Sequence, residues 1–156
     1  MAIKLKNQRT TIQAEKSIEM IRKLLIGFGV RDIAESRNDS GKLVAFRFIL
    51  EVDGLKLPFQ LAVNVTAVFL WLKKQKPQPR QVVRPTDRDD LVLEQAEKIA
   101  WKNAYEWLFH QLNQIELGQM EKVEAFMSNF YNYNTGQTFY QSMKALEFKP
   151  ILMLGQ

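Results

Sequence analysis

Hydrophobic residues recur every three or four positions over residues 14–28, which is the spacing of one face of a helix. The stripe consists of Ile18, Ile21, Leu24, Leu25 and Phe28. A glycine follows it, and a glycine at that point can take the left-handed conformation that closes a helix. The pattern therefore predicts a helix over residues 14–28, followed by a short strand over residues 30–37.

Apolar residues alternate with others on both sides of Asp53-Gly54, a dipeptide that favours a tight type I′ turn. The flanking segments are KLVAFRFILEV and LKLPFQLAV, and the turn pairs Val52 with Leu55. The pairs that continue on one face are all apolar: Leu50 with Leu57, Phe48 with Phe59, Phe46 with Leu61, and Val44 with Val63. The other face is mixed, and Pro58 predicts a free edge on the second strand.

Helices are predicted on both sides of a proline-rich segment. Asn64 is a suitable N-cap for a helix that ends near residue 75, and residues 76–85 are predicted to be extended. A long helix then runs from Thr86 or Asp87 to a residue before Gly118. Shorter helices are predicted over residues 119–126 and 135–146. This order predicts an α+β fold: a three-stranded antiparallel sheet covered on one face by helices, with a helical C-terminal half.

The chain has 156 residues, 46% hydrophobic and 25% charged, which is typical of one globular domain. Within a single domain 1–156 we expect an α-β-β-β-α part over residues 14–76, a basic connector over 73–86 and a helical part over 87–150. Cysteine is absent and there is one histidine, so no disulfide or thiolate zinc site is expected. The longest apolar run, VFLWL, is too short to span a bilayer. We expect a cytoplasmic protein without cofactor, metal or membrane association.

The segment KKQKPQPRQVVR, residues 73–84, contains five basic residues and no acidic one: Lys73, Lys74, Lys76, Arg80 and Arg84. The other 17 basic residues equal the 17 acidic ones, so the net charge of +5 can be assigned to this segment. Cationic side chains on an extended backbone can follow a phosphate chain, and Trp71 and Trp101 could stack on unpaired bases. A solvated linker, or a site for a protein or other anionic partner, are the alternatives.

Other residues give little support to an enzyme. His110 lies on the flank of a predicted helix, without a second catalytic group. The acidic run TDRDD begins a helix, where carboxylates complement the dipole, although a divalent cation is an alternative. A C-terminal EFK tripeptide has the acid-x-lysine spacing of some metal-dependent nucleases but lacks an identifiable upstream aspartate. No catalytic residue is predicted.

The C-terminal aromatic residues are predicted to pack mostly in the core. An exposed stacking platform or a protein interface is the alternative. The residues concerned are Phe126, Phe130, Tyr131, Tyr133, Phe139 and Tyr140.

Two resemblances add to these patterns. The segments LPFQLAVNVTAVFLWLKKQK, AWKNAYEWLFHQLNQIELGQMEKVEAF and NTGQTFYQSM resemble small bacteriophage and mobile-element proteins of unknown function. This resemblance implies expression in a bacterial cytoplasm and a role in replication, recombination or evasion of host defence. Residues 14–76 also resemble a double-stranded-RNA-binding domain in element order. Double-stranded-RNA-binding domains rely on lysines at the start of their last helix. The corresponding helix of this chain begins NVTAV and has no lysine there.

Together these features predict a non-enzymatic phage-type protein that binds nucleic acid. Single-stranded DNA, or DNA without sequence preference, is favoured as the ligand because cationic and stacking contacts carry little sequence information. The alternative is a protein-interaction module that inhibits or recruits a host nucleic-acid enzyme.

Overall fold

The computed structural model describes residues 3–75 and 85–152. The fold is α+β with a three-stranded antiparallel sheet and a long helix in the C-terminal half, as predicted. The helices are α1 Ala14–Gly27, α2 Val65–Lys74, α3 Pro85–Glu116, α4 Lys122–Phe126, α5 Phe139–Ala145 and α6 Lys149–Leu152. The strands are β1 Ile33–Arg37, β2 Leu43–Val52, β3 Leu55–Ala62, β4 Tyr131–Asn132 and β5 Gln137–Thr138.

The chain groups into two compact units, each built from two chain segments. The first, called the helical unit, consists of Met1–Leu25 and Val63–Phe109 and contains α2 and most of α1 and α3. The second, called the sheet unit, consists of Ile26–Ala62 and His110–Gln156 and contains all five strands. The predicted α-β-β-β-α segment is therefore divided between the two units. A single domain for the whole chain stays a prediction.

The register of the β2–β3 hairpin is the predicted one. Val52 lies opposite Leu55, and the paired positions continue without a slip to Ala45 opposite Ala62. The turn residues Asp53 and Gly54 have φ values of 51° and 78°, which is the left-handed backbone that a type I′ turn requires. The turn chemistry and the apolar pattern favour the same pairing, so the register is strongly specified.

One face of this sheet carries the core of the sheet unit. Phe46, Phe48 and Phe59 are each at most 1% exposed, and Phe126 of α4 packs edge-on to Phe48 with ring centroids 5.7 Å apart. Phe130 contacts Phe59 in the same edge-to-face manner at 5.5 Å. Aromatic pairs prefer such edge contacts because the positive ring edge meets the negative ring face.

The free edge of β3 is covered in part by the C-terminal half of the chain. Pro58 lies on this edge strand, as predicted, because the strand order is β1-β2-β3. Phe130 forms an isolated antiparallel bridge with Phe59, and the Asn129 side-chain amide donates to the Gln60 carbonyl at 2.9 Å. An edge strand with its polar groups occupied in this way is protected against pairing with another chain.

The helical unit is built around α3. The buried residues of this helix recur at helical spacing and are Ala96, Ile99, Ala100, Trp101, Leu108 and Leu112, the last of which lies in the sheet unit. The helix begins at Pro85, before the predicted caps Thr86 and Asp87, because the fixed φ of proline suits the first helical position. On α1 the buried residues are Ala14, Ser17, Ile21 and Leu25.

The C-terminal region differs from the prediction in its details. The helix expected over residues 119–126 begins at Lys122, after Glu121, which forms a capping box with Glu124. The helix expected over residues 135–146 begins only at Phe139, because β4 and β5 form a small hairpin before it. Gly136 in that hairpin has a φ of 68°, which does not fit a helix.

Candidate nucleic-acid interface

Helix α2 positions the two predicted site residues at the start of the basic segment. Its first turn is capped by Asn64, whose Oδ1 accepts a hydrogen bond from the Ala67 amide at 3.0 Å, as predicted. Lys73 and Lys74 form its last turn, where cations complement the negative end of the helix dipole. Both lysines are exposed, so their ammonium groups are accessible to an anion in solution.

The two lysines differ in their surroundings. The Lys73 ammonium forms an ion pair with Asp89 of α3 and lies 5.9 Å from the centre of the Phe69 ring. The Lys73 and Asp89 side chains are 44% and 53% exposed, so water screens this pair and its net contribution is about 0–1 kcal/mol. Lys74 forms no ion pair with any residue that the structure describes. A phosphate would therefore compete with Asp89 at Lys73 but not at Lys74.

The other three predicted basic residues, Lys76, Arg80 and Arg84, lie outside the described residues. The same holds for most of the predicted extended segment 76–85. Their charges are properties of the sequence, and only the first part of the predicted site is placed by the structure.

The two tryptophans predicted to stack on bases lie in different environments. Trp71, on α2 two residues before Lys73, is half-buried, so part of its ring faces solvent. Trp101, on α3, is 2% exposed. A ring buried to that extent offers no free face to a base, which argues against the stacking role predicted for Trp101.

Helix α2 is apolar over most of its length, yet none of its residues is buried. Leu70 is 53% exposed, and Leu91 and Leu93 near the start of α3 are 53% and 40% exposed. These leucines were not predicted as site residues, because periodicity alone does not show which apolar face a neighbour leaves uncovered. Leu70 lies three residues before Lys73 on α2, so an exposed apolar side chain accompanies the exposed lysines.

The net positive charge of the chain lies in one of the two units. The helical unit contains 14 Lys and Arg and 8 Asp and Glu, which gives a net charge of +6. The sheet unit contains 8 Lys and Arg and 9 Asp and Glu, which gives −1. The positive potential that would attract an anionic polymer therefore originates in the helical unit.

A second group of charges in the helical unit fastens the N-terminal residues to α3. The Lys6 ammonium lies 2.8 Å from a Glu106 carboxylate oxygen, and the Asn7 amide donates to Glu106 at 3.0 Å and to Asn103 at 2.7 Å. Partial burial raises the pKa of Glu106, but the hydrogen bonds from Lys6 and Asn7 and the charges of Lys6 and Lys102 outweigh it, so the pKa lies below its ordinary value of 4.5. These contacts join residues 6 and 7 to α3.

The groups considered for other chemistry are dispersed. His110 is exposed, and Glu147 and Lys149 form an ion pair at 3.4 Å with side chains that are 79% and 71% exposed. Among the residues whose side chains the structure describes, no three His, Asp or Glu residues form a possible metal site. No helix within residues 3–75 and 85–152 is long and apolar enough to cross a membrane.

No family model matches the chain, and neither a curated protein nor a solved structure matches it. The resemblance to bacteriophage proteins therefore stays a prediction.

Proposed function

We propose that the protein binds nucleic acid without catalysing a reaction, and that single-stranded DNA bound without sequence preference is its main ligand. The binding site consists of Lys73, Lys74, Lys76, Arg80 and Arg84, with Trp71 beside it. If the resemblance to bacteriophage proteins holds, this binding serves replication, recombination or counter-defence in the cytoplasm of a bacterial host.

The observation that carries this proposal is the uneven distribution of charge. A net charge of +6 belongs to the helical unit, and its densest part begins at the exposed end of α2. Phosphates bound there release condensed counterions, which favours binding at low salt regardless of base sequence. This is the physical reason for preferring a polyanion over a small uncharged ligand.

Binding would proceed through exchange of ionic partners. A phosphate contacts Lys74 directly, and it replaces Asp89 at Lys73 at small cost because the Lys73–Asp89 pair is exposed. The exposed part of the Trp71 ring can then stack on an unpaired base, a contact worth about 1–3 kcal/mol and tolerant of sequence. Stacking requires an unpaired base, which is why single strands are favoured over duplexes.

The test is a fluorescence-anisotropy titration of labelled single-stranded and duplex oligonucleotides at two salt concentrations. Five phosphate contacts to a single strand predict a slope of log affinity against log salt of about −3.5, or about a 100-fold loss between 50 and 200 mM salt. Absence of binding at the lower salt concentration would contradict the proposal, and so would an affinity that does not depend on salt.

A matched pair of double variants locates the site. Lys73→Gln/Lys74→Gln and Arg31→Gln/Lys56→Gln remove the same charge from exposed positions of the helical unit and of the sheet unit, respectively. The first pair should reduce the salt slope by about 1.4, whereas the second should leave it nearly unchanged. Equal effects would show that total charge, not this site, governs binding.

A second candidate function is binding to an acidic surface of a host nucleic-acid enzyme. It is favoured by the exposed apolar residues of the helical unit, Leu70, Leu91 and Leu93, which a nucleic acid would not require. A Leu70→Ser/Leu91→Ser variant separates the two functions. Nucleic-acid binding should survive these substitutions, whereas binding to a protein surface depends on apolar contacts and should weaken.

A further inference from the structure

The last described part of the chain exposes an unusual amount of apolar side chain. Neither α5 nor α6 contains a buried residue. Tyr140, Phe148, Ile151 and Leu152 are 52%, 39%, 53% and 68% exposed, and they are called the C-terminal apolar surface below. We propose that this surface is where a second copy of the chain binds, so that the protein forms a homodimer.

The four side chains lie close together. The centroids of the Tyr140 and Phe148 rings are 6.2 Å apart. The amides of Ile151 and Leu152 each donate to the Phe148 carbonyl at 3.1 Å, so the backbone folds both residues into one turn with Phe148. The four residues of the surface therefore lie around one aromatic contact and the turn that follows it.

The backbone immediately before α6 has an unfavourable conformation at Phe148. Glu147 and Phe148 are consecutive and have φ values of 55° and 58°, in the left-handed region that non-glycine residues seldom adopt. Residues held in such conformations cluster at sites of function, where another interaction compensates for the strain. Here the strain accompanies an aromatic ring that remains partly in water, which is consistent with a contact made outside the chain.

The size of the surface suits a second copy. At about 200 Å² for a large side chain, the exposed fractions of the four residues amount to about 400 Å² of apolar area. A standard interface buries about 800 Å² on each partner, of which somewhat more than half is apolar. The C-terminal apolar surface therefore supplies most of the apolar part that one side of a stable dimer needs.

Charge also favours a second copy as the occupant. The sheet unit, which contains this surface, has a net charge of −1, so two copies meet there with little repulsion. The exposed Glu147 and Lys149 beside the surface have opposite signs. In a two-fold dimer the same patch of each copy forms the interface, and a patch of mixed sign is compatible with that symmetry because a residue of one copy can meet a residue of opposite charge in the other. A nucleic acid is disfavoured because the patch is apolar and nearly neutral.

Sedimentation equilibrium of the full chain tests this proposal. Wild-type protein should change from monomer to dimer mass between about 1 and 100 μM, and Phe148→Ser/Ile151→Ser should raise the dimer dissociation constant by about 100-fold or more. Because Phe148 and Ile151 are 39% and 53% exposed and neither is in the core, circular dichroism should show that the variant remains folded. Should that variant misfold, Leu152→Lys places a charge at the most exposed position of the surface and should have the same effect on the dimer.

The matched control is Leu55→Ser, which removes a side chain of the same unit that is 63% exposed but lies in the β2–β3 hairpin. This variant should dimerise like the wild type. A wild-type protein that remains monomeric at the highest concentration would overturn the proposal. So would a dimer that Leu55→Ser weakens as much as the substitutions in the C-terminal apolar surface.

Discussion

The two units of the molecule expose different kinds of surface. The helical unit carries a net charge of +6, whereas the sheet unit is nearly neutral. Of the 16 large hydrophobic residues that are exposed in the described part of the chain, 11 belong to the sheet unit and 5 to the helical unit. Charge attracts an anionic partner over about a Debye length, whereas apolar surface acts only on contact. The two proposals therefore concern different units, and substitutions in one unit can test each proposal separately.

The largest expected change in the free energy of unfolding distinguishes the core of the sheet unit from its exposed surface. Phe59 is fully buried and contacts the rings of Phe48, Phe126 and Phe130. Phe59→Ala should lower the free energy of unfolding by about 3–5 kcal/mol through lost burial and a residual cavity. Tyr140→Ala, at a half-exposed ring, should change it by less than about 0.5 kcal/mol in monomeric protein. Urea denaturation at low protein concentration measures both, and similar losses would show that the exposed surface belongs to the core.

A smaller effect tests whether the hairpin turn supports the sheet unit. Gly54 has a φ of 78°, and Gly54→Ala should cost roughly 1–2 kcal/mol because a Cβ disfavours that conformation. Gly27, the last residue of α1, has no positive φ and open space around it. Gly27→Ala should therefore be neutral or stabilise by about 0.5 kcal/mol. Thermal denaturation followed by circular dichroism compares the two, and equal destabilisation would contradict the role assigned to the turn.

In the helical unit, a substitution should increase stability. The Ser17 hydroxyl on α1 is buried and has no hydrogen-bond partner in the described structure. Ser17→Ala should stabilise the protein by about 1 kcal/mol, because it removes an unsatisfied polar atom and improves helix propensity. Ser40→Ala, at an exposed turn residue, serves as the control and should change stability by less than about 0.5 kcal/mol. A loss of stability in Ser17→Ala would mean that the hydroxyl has a partner.

The smallest effect concerns the contact of the N-terminal residues with α3. The pKa of Glu106 is lowered in the folded state, so its ionised form stabilises the fold above the ordinary carboxyl pKa of 4.5, and this contribution is lost as the pH falls below that value. Glu106→Gln should cost about 0.5–1 kcal/mol at neutral pH and progressively less in acid. The urea midpoints of Glu106→Gln and of the wild type, measured at pH 7, 5 and 3, should approach each other as the pH falls. A constant difference between variant and wild type would contradict it.

The sequence predicts the sheet better than it predicts the site. The register from Val52–Leu55 to Phe46–Leu61 could be predicted because the Asp53-Gly54 turn and the alternation of apolar residues specify the same pairing. The burial of Trp101 was harder to assign, since a wide apolar arc on a helix does not show which part remains exposed. The Lys73–Asp89 pair joins residues 16 positions apart in separate helices, and no local pattern signals such a contact.

For the C-terminal aromatic residues, too, the sequence does not show which side chains are buried and which are exposed. Phe126 and Tyr131 are buried as predicted, whereas Tyr133, Phe139 and Tyr140 are 58%, 39% and 52% exposed. Composition favours burial of aromatic residues in general, but the short β4–β5 hairpin and the positive φ values near Phe148 depend on tertiary structure. Which of these aromatic residues are exposed is therefore known only from the structure.

The most direct test of this division between the units is sedimentation velocity of the protein with a short fluorescent single-stranded oligonucleotide, since it reports oligomeric state and nucleic-acid binding together. Lys73→Gln/Lys74→Gln should weaken oligonucleotide binding and retain the dimer. Phe148→Ser/Ile151→Ser should lose the dimer and retain the oligonucleotide on each monomer. If either double variant impairs both dimerisation and oligonucleotide binding while remaining folded, the two units do not carry separate binding functions.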